Sequence, residues 1–124
     1  MRVVKPGAGE HEVARGVIAG GAEISRETVG AGNIYMGVFR VPPLGRSRPH
    51  YHANCESAVY MLSGELTVRW GDSLEQAVEI AAGDMVYVPP NETHVLENHT
   101  ADPAEYVVAR DAPQEDSVEV PWVE

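Results

Sequence analysis

The chain reads as an all-β protein, a sandwich or barrel with little helix. Three observations carry this. Short apolar or alternating runs recur at spacings of about eight to twelve residues, with turn signals between them. No segment sustains the 3.6-residue apolar period of an amphipathic helix. Nine prolines and twelve glycines within 124 residues supply the turns that many short strands need.

The elements follow in order. Residues 1–32 form a Gly/Glu-rich leader expected to bear strand. Residues 33–41 (NIYMGVFRV) are the clearest early strand, ended by Pro42-Pro43, because proline donates nothing to a ladder. Residues 50–52 make a short strand or strand edge. Residues 57–62 (SAVYML) are rich in β-formers. Ser63-Gly64 turns them into residues 65–70 (ELTVRW), where polar and apolar side chains alternate. Gly71-Asp72-Ser73 turns again toward 75–80, and Ala82-Gly83-Asp84 leads into 85–88. Pro89-Pro90-Asn91 is a turn, residues 94–98 a strand, and 105–109 (EYVVA) another. The apolar share of 44% and the length fit one domain with one core.

Charge narrows the partners. The formal net charge is −10, which repels phosphate backbones and anionic membranes and argues against nucleic acid. Acid gathers at Asp111, Glu115, Asp116, Glu119 and Glu124, so residues 111–124 read as a solvated tail. No window approaches twenty apolar residues, and the N-terminus has no apolar signal core. A single cysteine, Cys55, rules out an internal disulfide and fits a reducing cytoplasm.

Two separated stretches carry the chemistry. The first is His50-Tyr51-His52 with Glu56 close behind; the second runs from Gly83 to Asn98 and contains His94. Residues two apart on a strand project to one side, so His50 and His52 can aim at a common point. Imidazole is the commonest protein ligand for divalent transition metals. A lone His-x-His pair is weak evidence, since surface strands carry such pairs by chance. The punctuation around it raises its weight: Gly45, His50, His52, Glu56 and Gly64 in one stretch, Gly83, Pro89, His94 and Asn98 in the other.

In these residues the chain resembles the cupins. Their first motif places two histidines one residue apart between glycines, followed by a glutamate. Their second runs glycine, proline, histidine, asparagine at the spacing found here. The resemblance implies a double-stranded β-helix, or jelly-roll barrel, with a core at about 33–110. It also implies one divalent ion held by His50, His52, Glu56 and His94, with iron(II) or manganese the first expectations and nickel or zinc next.

Three departures stand out. The run from Gly45 to His50 is one residue shorter than the family's usual. Asn91 replaces a glycine, a mild change because asparagine tolerates positive φ. Glu56 lies eight residues before Gly64, so the usual count puts Ser57 at the ligand position. A β-bulge would re-aim Glu56 inward, which is the expectation adopted; strict alternation would leave a site of three histidines.

Further candidates have duller alternatives beside them. Glu56 as ligand or mobile base, and Tyr60 as a phenol facing substrate, are the expected catalytic groups. Tyr60 reads equally as core packing with its hydroxyl at the rim. Of Tyr35 and Met36, only one can face inward. Arg40 shares a face with Met36 and reads as a surface residue or a carboxylate binder. Cys55 reads as a small buried residue, His99 as exposed, and His11 as irrelevant. Trp70 and Trp122 read as packing or subunit contacts, and Asn98 as a tie at a strand end. The resemblance implies a metal-dependent enzyme on a small enolisable, phenolic or carbonyl substrate, a non-heme dioxygenase first. A redox-neutral isomerase, polyketide-cyclase-like enzyme or decarboxylase comes next, then a non-catalytic binding module. A homodimer assembled through the terminal strands is expected as well.

Overall fold

The computed structural model describes residues 1–7, 11–12, 18–114 and 116–121, with the backbone alone at 11–12. Trp122, the side chain of His11, and the acids Glu115 and Glu124 lie outside the described residues. Eleven strands are described: β1 (His11–Glu12), β2 (Ala19–Ile24), β3 (Tyr35–Val41), β4 (His50–His52), β5 (Ser57–Ser63), β6 (Glu65–Trp70), β7 (Gln76–Ala81), β8 (Met85–Val88), β9 (His94–Glu97), β10 (Ala104–Arg110) and β11 (Ser117–Glu119). One short helix, α1 (Arg26–Val29), follows β2. Two antiparallel sheets stack as a jelly roll, ordered β1-β2-β3-β10-β5-β8 and β11-β4-β9-β6-β7. Among the described residues, no helix is long and apolar enough to cross a membrane.

Alternation builds the core. On β3, Tyr35, Phe39 and Val41 face inward while Met36 and Arg40 face out. Val59 and Met61 of β5, Leu66 and Val68 of β6, and Tyr106 and Val108 of β10 meet them between the sheets. Phe39 stacks on Tyr106 with ring centroids 5.8 Å apart. The turn between β5 and β6 needs glycine: Gly64 has φ +77°, and a Cβ there would sit 2.6 Å from the carbonyl oxygen of Pro103.

The termini differ from expectation. Ile18 and Ala22 are buried in the main core, so the leader contributes to it through β2. The tail is not simply solvated: β11 pairs with β4, placing Ser117 opposite His52 and Glu119 opposite His50. Val118 and Val120, half-buried among the acids, supply the alternation that permits this strand. Both terminal strands described are thus paired within the chain, β1 with β2 and β11 with β4. The helix is specified locally: Ser25 and Thr28 exchange capping-box hydrogen bonds, and Gly30 closes the turn at φ 70°. At four residues it is too short to show a period.

Candidate metal centre

β4 lies between β11 and β9 in the smaller sheet. Its two histidines face the barrel interior, each 2% exposed, with Tyr51 between them turned away. The β4–β9 pairing sets His94 directly opposite His50. The turn before β9 is anchored by a hydrogen bond from Asn91 N to the carbonyl of His52, at 2.8 Å. Asn91 adopts φ 64°, the left-handed conformation expected where a glycine is usual.

The three rings converge. Their centroids lie 4.3 Å apart for His50–His94, 5.1 Å for His50–His52 and 5.4 Å for His52–His94. One ring nitrogen from each lies within 4.8 Å of the other two. Nδ1 of His50 is 2.7 Å from the carbonyl oxygen of Arg48, and Nδ1 of His94 is 2.8 Å from that of Glu92. A carbonyl can only accept, so both Nδ1 atoms carry the proton. Neutral rings then keep the Nε2 lone pair, the form that ligates a metal. Three buried imidazoles, two of them held in the ligating tautomer by the backbone, fit a divalent transition metal.

The space around the rings is narrow and mostly apolar. A cavity of about 30 Å³ beside them is walled by Val59, Val68, Leu96 and Val108, together with Ser57 and Arg110. A second, wider groove of about 420 Å³ opens between the edges of the two sheets and also reaches His94. Trp70, Val78, Met85, Tyr87 and Pro89 line it. The two spaces share Val68, Val86, Val88 and His94 as a common wall.

Not every candidate joins the cluster. The structure brings together His50, His52 and His94 and leaves Glu56 outside. No bulge re-aims it: the strand register shifts beside Glu105 and beside Ala22, while β5 pairs regularly with β8 from Ser57 onward. Strict alternation therefore buries Ser57 and exposes Glu56. Glu56 instead accepts a 2.6 Å hydrogen bond from the Tyr87 hydroxyl, which raises the phenol's pKa above the ordinary tyrosine value. Burial and the charges of Glu56 and Asp111 add to that rise. Tyr60, expected to face substrate, instead stands on the outer face of β5, 41% exposed.

The remaining candidates fall out by face. Tyr35 points inward and Met36 outward; Arg40 shares the outer face and lies opposite Glu105. Cys55 is buried and His99 exposed, 3.7 Å from Glu97. Asn98 ties the end of β9, donating to the carbonyls of Val41 and Asp102. One inward residue, Arg110, is not among the candidates that the sequence singles out. Arg110 shares the parity of Tyr106 and Val108 on β10, a signal present in the sequence. Trp70 lies opposite His94 and lines the groove.

Comparisons with known proteins agree with this architecture. The whole chain superposes on the polyketide cyclase RemF from Streptomyces resistomycificus with a TM-score of 0.82, at 20% identity and covering 88% of that chain. An uncharacterized conserved protein with a double-stranded β-helix domain from Klebsiella pneumoniae matches at TM-score 0.75 and 14% identity, with 98% of both chains covered. Oxalate decarboxylase from Lactobacillus farciminis matches at TM-score 0.75 and 19% identity over 94% of this chain, which spans 33% of that longer one. No curated protein matches by sequence. The family described as Cupin domain matches residues 37–110, a stretch that contains both histidine motifs, and the chain belongs to that family.

Proposed function

We propose that this cupin is a metal-dependent enzyme acting without redox change on a small enolisable, phenolic or carbonyl substrate, as an isomerase or cyclase. One observation carries the reading: His50, His52 and His94 form a buried, converging set of imidazoles, two of them held in the ligating tautomer, with Glu56 turned away. Neutral donors leave an ion's charge undiminished. When bound, the ion supplies Lewis acidity toward a carbonyl or enolate, and iron would add one-electron chemistry with dioxygen. The loss of Glu56 from the set also removes the argument for manganese that a carboxylate ligand would provide. Iron(II), nickel and zinc remain suited to imidazole alone.

The chain's own groups do the rest. The carbonyls of Arg48 and Glu92 hold the His50 and His94 rings in register. Val59, Val68, Leu96 and Val108 exclude bulk water from the cavity. The wider groove receives the apolar body of the substrate against Trp70 and Met85. Similarity along the whole chain to a polyketide cyclase supports this reading. A non-heme dioxygenase is the second reading, favoured because an all-imidazole set also suits iron(II). Decarboxylation draws only on the similarity to oxalate decarboxylase, of which this chain covers 33%.

The test begins with elemental analysis of protein purified without added metal. Zinc-loaded and iron-loaded protein are then assayed on diketones and flavonoids, with dioxygen uptake recorded. Turnover with zinc and no uptake supports the isomerase or cyclase. Turnover confined to iron, with uptake, establishes the dioxygenase instead. A full metal site without turnover leaves a ligand-binding role. We also propose a cytoplasmic homodimer. Light scattering should give twice the 13.4 kDa of one chain, and a monomer refutes it.

A further inference from the structure

Arg110 ends β10 on the inward face and is 6% exposed. The strand registers place it in a cross-strand row. It lies opposite Tyr35 on β3 and Ser57 on β5, and Ser57 lies opposite Val88 on β8. The facing sheet carries a second row, His50, His94 and Trp70. Arg110, Ser57 and the three histidines all line the one narrow cavity.

The guanidinium is held in a set orientation. Its Nε donates to Ser57 Oγ at 3.1 Å, and its Cζ stands 4.6 Å from the centroid of the Tyr35 ring. A planar fork fixed along one edge and one face recognises an oxyanion directionally, as a flexible lysine would not. The position of Ser57 matters too. Its hydroxyl orients Arg110, where a carboxylate at the same inward position would neutralise it.

The geometry points to an anion subsite: Arg110 recognises the carboxylate, or an equally placed oxyanion, of the substrate handled at the three-histidine centre. The inference rests on the proposed reading of that centre as a metal site. It also bounds the substrate. A cavity of about 30 Å³ admits only a compact head, whereas the adjoining groove of about 420 Å³ takes a flat apolar body. The class is an amphiphilic acid, an anionic head on an aromatic or polycyclic body.

Two near-isosteric probes, one anionic and one neutral, test this: 1-hydroxy-2-naphthoate and its carboxamide. Both are titrated by fluorescence into zinc-loaded and chelator-treated protein. Wild-type protein should bind the acid at least about tenfold tighter than the amide, the worth of a hydrogen bond to a charged group. Arg110→Met should shrink that preference to within about twofold while zinc content is kept. Arg110→Lys keeps the charge and serves where the methionine variant does not fold. It should cut the preference at least about threefold through loss of the fork. Equal binding of the two probes by wild type, or an undiminished preference in either variant, overturns the subsite. Wild type that retains no zinc yet prefers the acid refutes the metal reading alone. Zinc retained without acid preference refutes the subsite alone.

Discussion

Asn98 makes the sharpest prediction about how the fold holds His94. It is 2% exposed and sits just past the end of β9. Its Nδ2 donates to the carbonyls of Val41 at 3.1 Å and Asp102 at 2.8 Å. Its Oδ1 accepts from Thr100 N at 2.9 Å and Thr100 Oγ1 at 2.8 Å. Asn98→Ala deletes all four bonds. The Thr100 and Asp102 partners are partly exposed, so water replaces much of what they lose. Val41 is fully buried, and its carbonyl would be stranded at a cost of about 1–3 kcal/mol. Adding about 0.5–1 kcal/mol for the others gives a loss of roughly 1.5–4 kcal/mol. For a domain of this size that is roughly 10 °C in Tm.

Asn98→Asp sharpens the test. It keeps acceptors for Thr100 but sets a carboxylate against the Val41 and Asp102 carbonyls, so it should be at least as damaging as alanine. Urea unfolding followed by circular dichroism measures both variants, with metal content determined on the folded protein. A loss below about 0.5 kcal/mol for alanine would sink the clamp argument. So would an aspartate variant more stable than the alanine one. Loss of metal from folded Asn98→Ala would show that Asn98 acts on the site and not merely on the strand end.

Three further outcomes are expected. Alanine at His50, His52 or His94 should abolish stoichiometric metal, whereas Glu56→Gln should leave it unchanged; inductively coupled plasma spectrometry decides both, and metal lost with Glu56→Gln contradicts the placement of that side chain. The Tyr87 phenol is held above the ordinary tyrosine range by Glu56 first, then by desolvation. Its folded pKa exceeds its unfolded one, so the contribution to stability is present below the unfolded value and fades as pH rises through the folded value, above about pH 10. Ultraviolet titration of tyrosinate should show this late phenol return toward the ordinary value in Glu56→Gln, and no change there refutes the pairing. Met61→Ala, at 0% exposure in the middle of the core, should cost about 2–5 kcal/mol in urea unfolding.

How much of this was legible in the chain follows from which forces set each feature. His50 and His52 could be paired by inspection because strand periodicity is local and has no alternative at that spacing. The turn at Asn91 was legible for the same reason, since left-handed backbone restricts residue type. The outward turn of Glu56 is not legible because a bulge is decided by the partner strand, and the regular pairing of Ser57 with Val88 is invisible until β5 and β8 are placed together. β11 was hidden by composition: charge dominates residues 111–124, while the two valines that matter gain their value only from the open edge of β4.

Arg110 teaches the more general point. Its parity on β10 was available, yet a charged residue at the end of an apolar strand is ordinarily assigned to solvent. What overrides that prior is two-sided support, Ser57 from one neighbouring strand and Tyr35 from the other. Those partners come from sequence positions more than fifty residues distant, so no window along the chain contains both halves of the arrangement. The same nonlocality links the two halves of the candidate site. His50 meets His94 only through the β4–β9 pairing, and Arg110 meets Ser57 only through the β10–β5 pairing. Each pairing lies in a different sheet. The chemistry of the cavity therefore depends on the stacking of the two layers, and a substitution that loosens their packing, such as one at Met61, should degrade metal affinity and probe binding together.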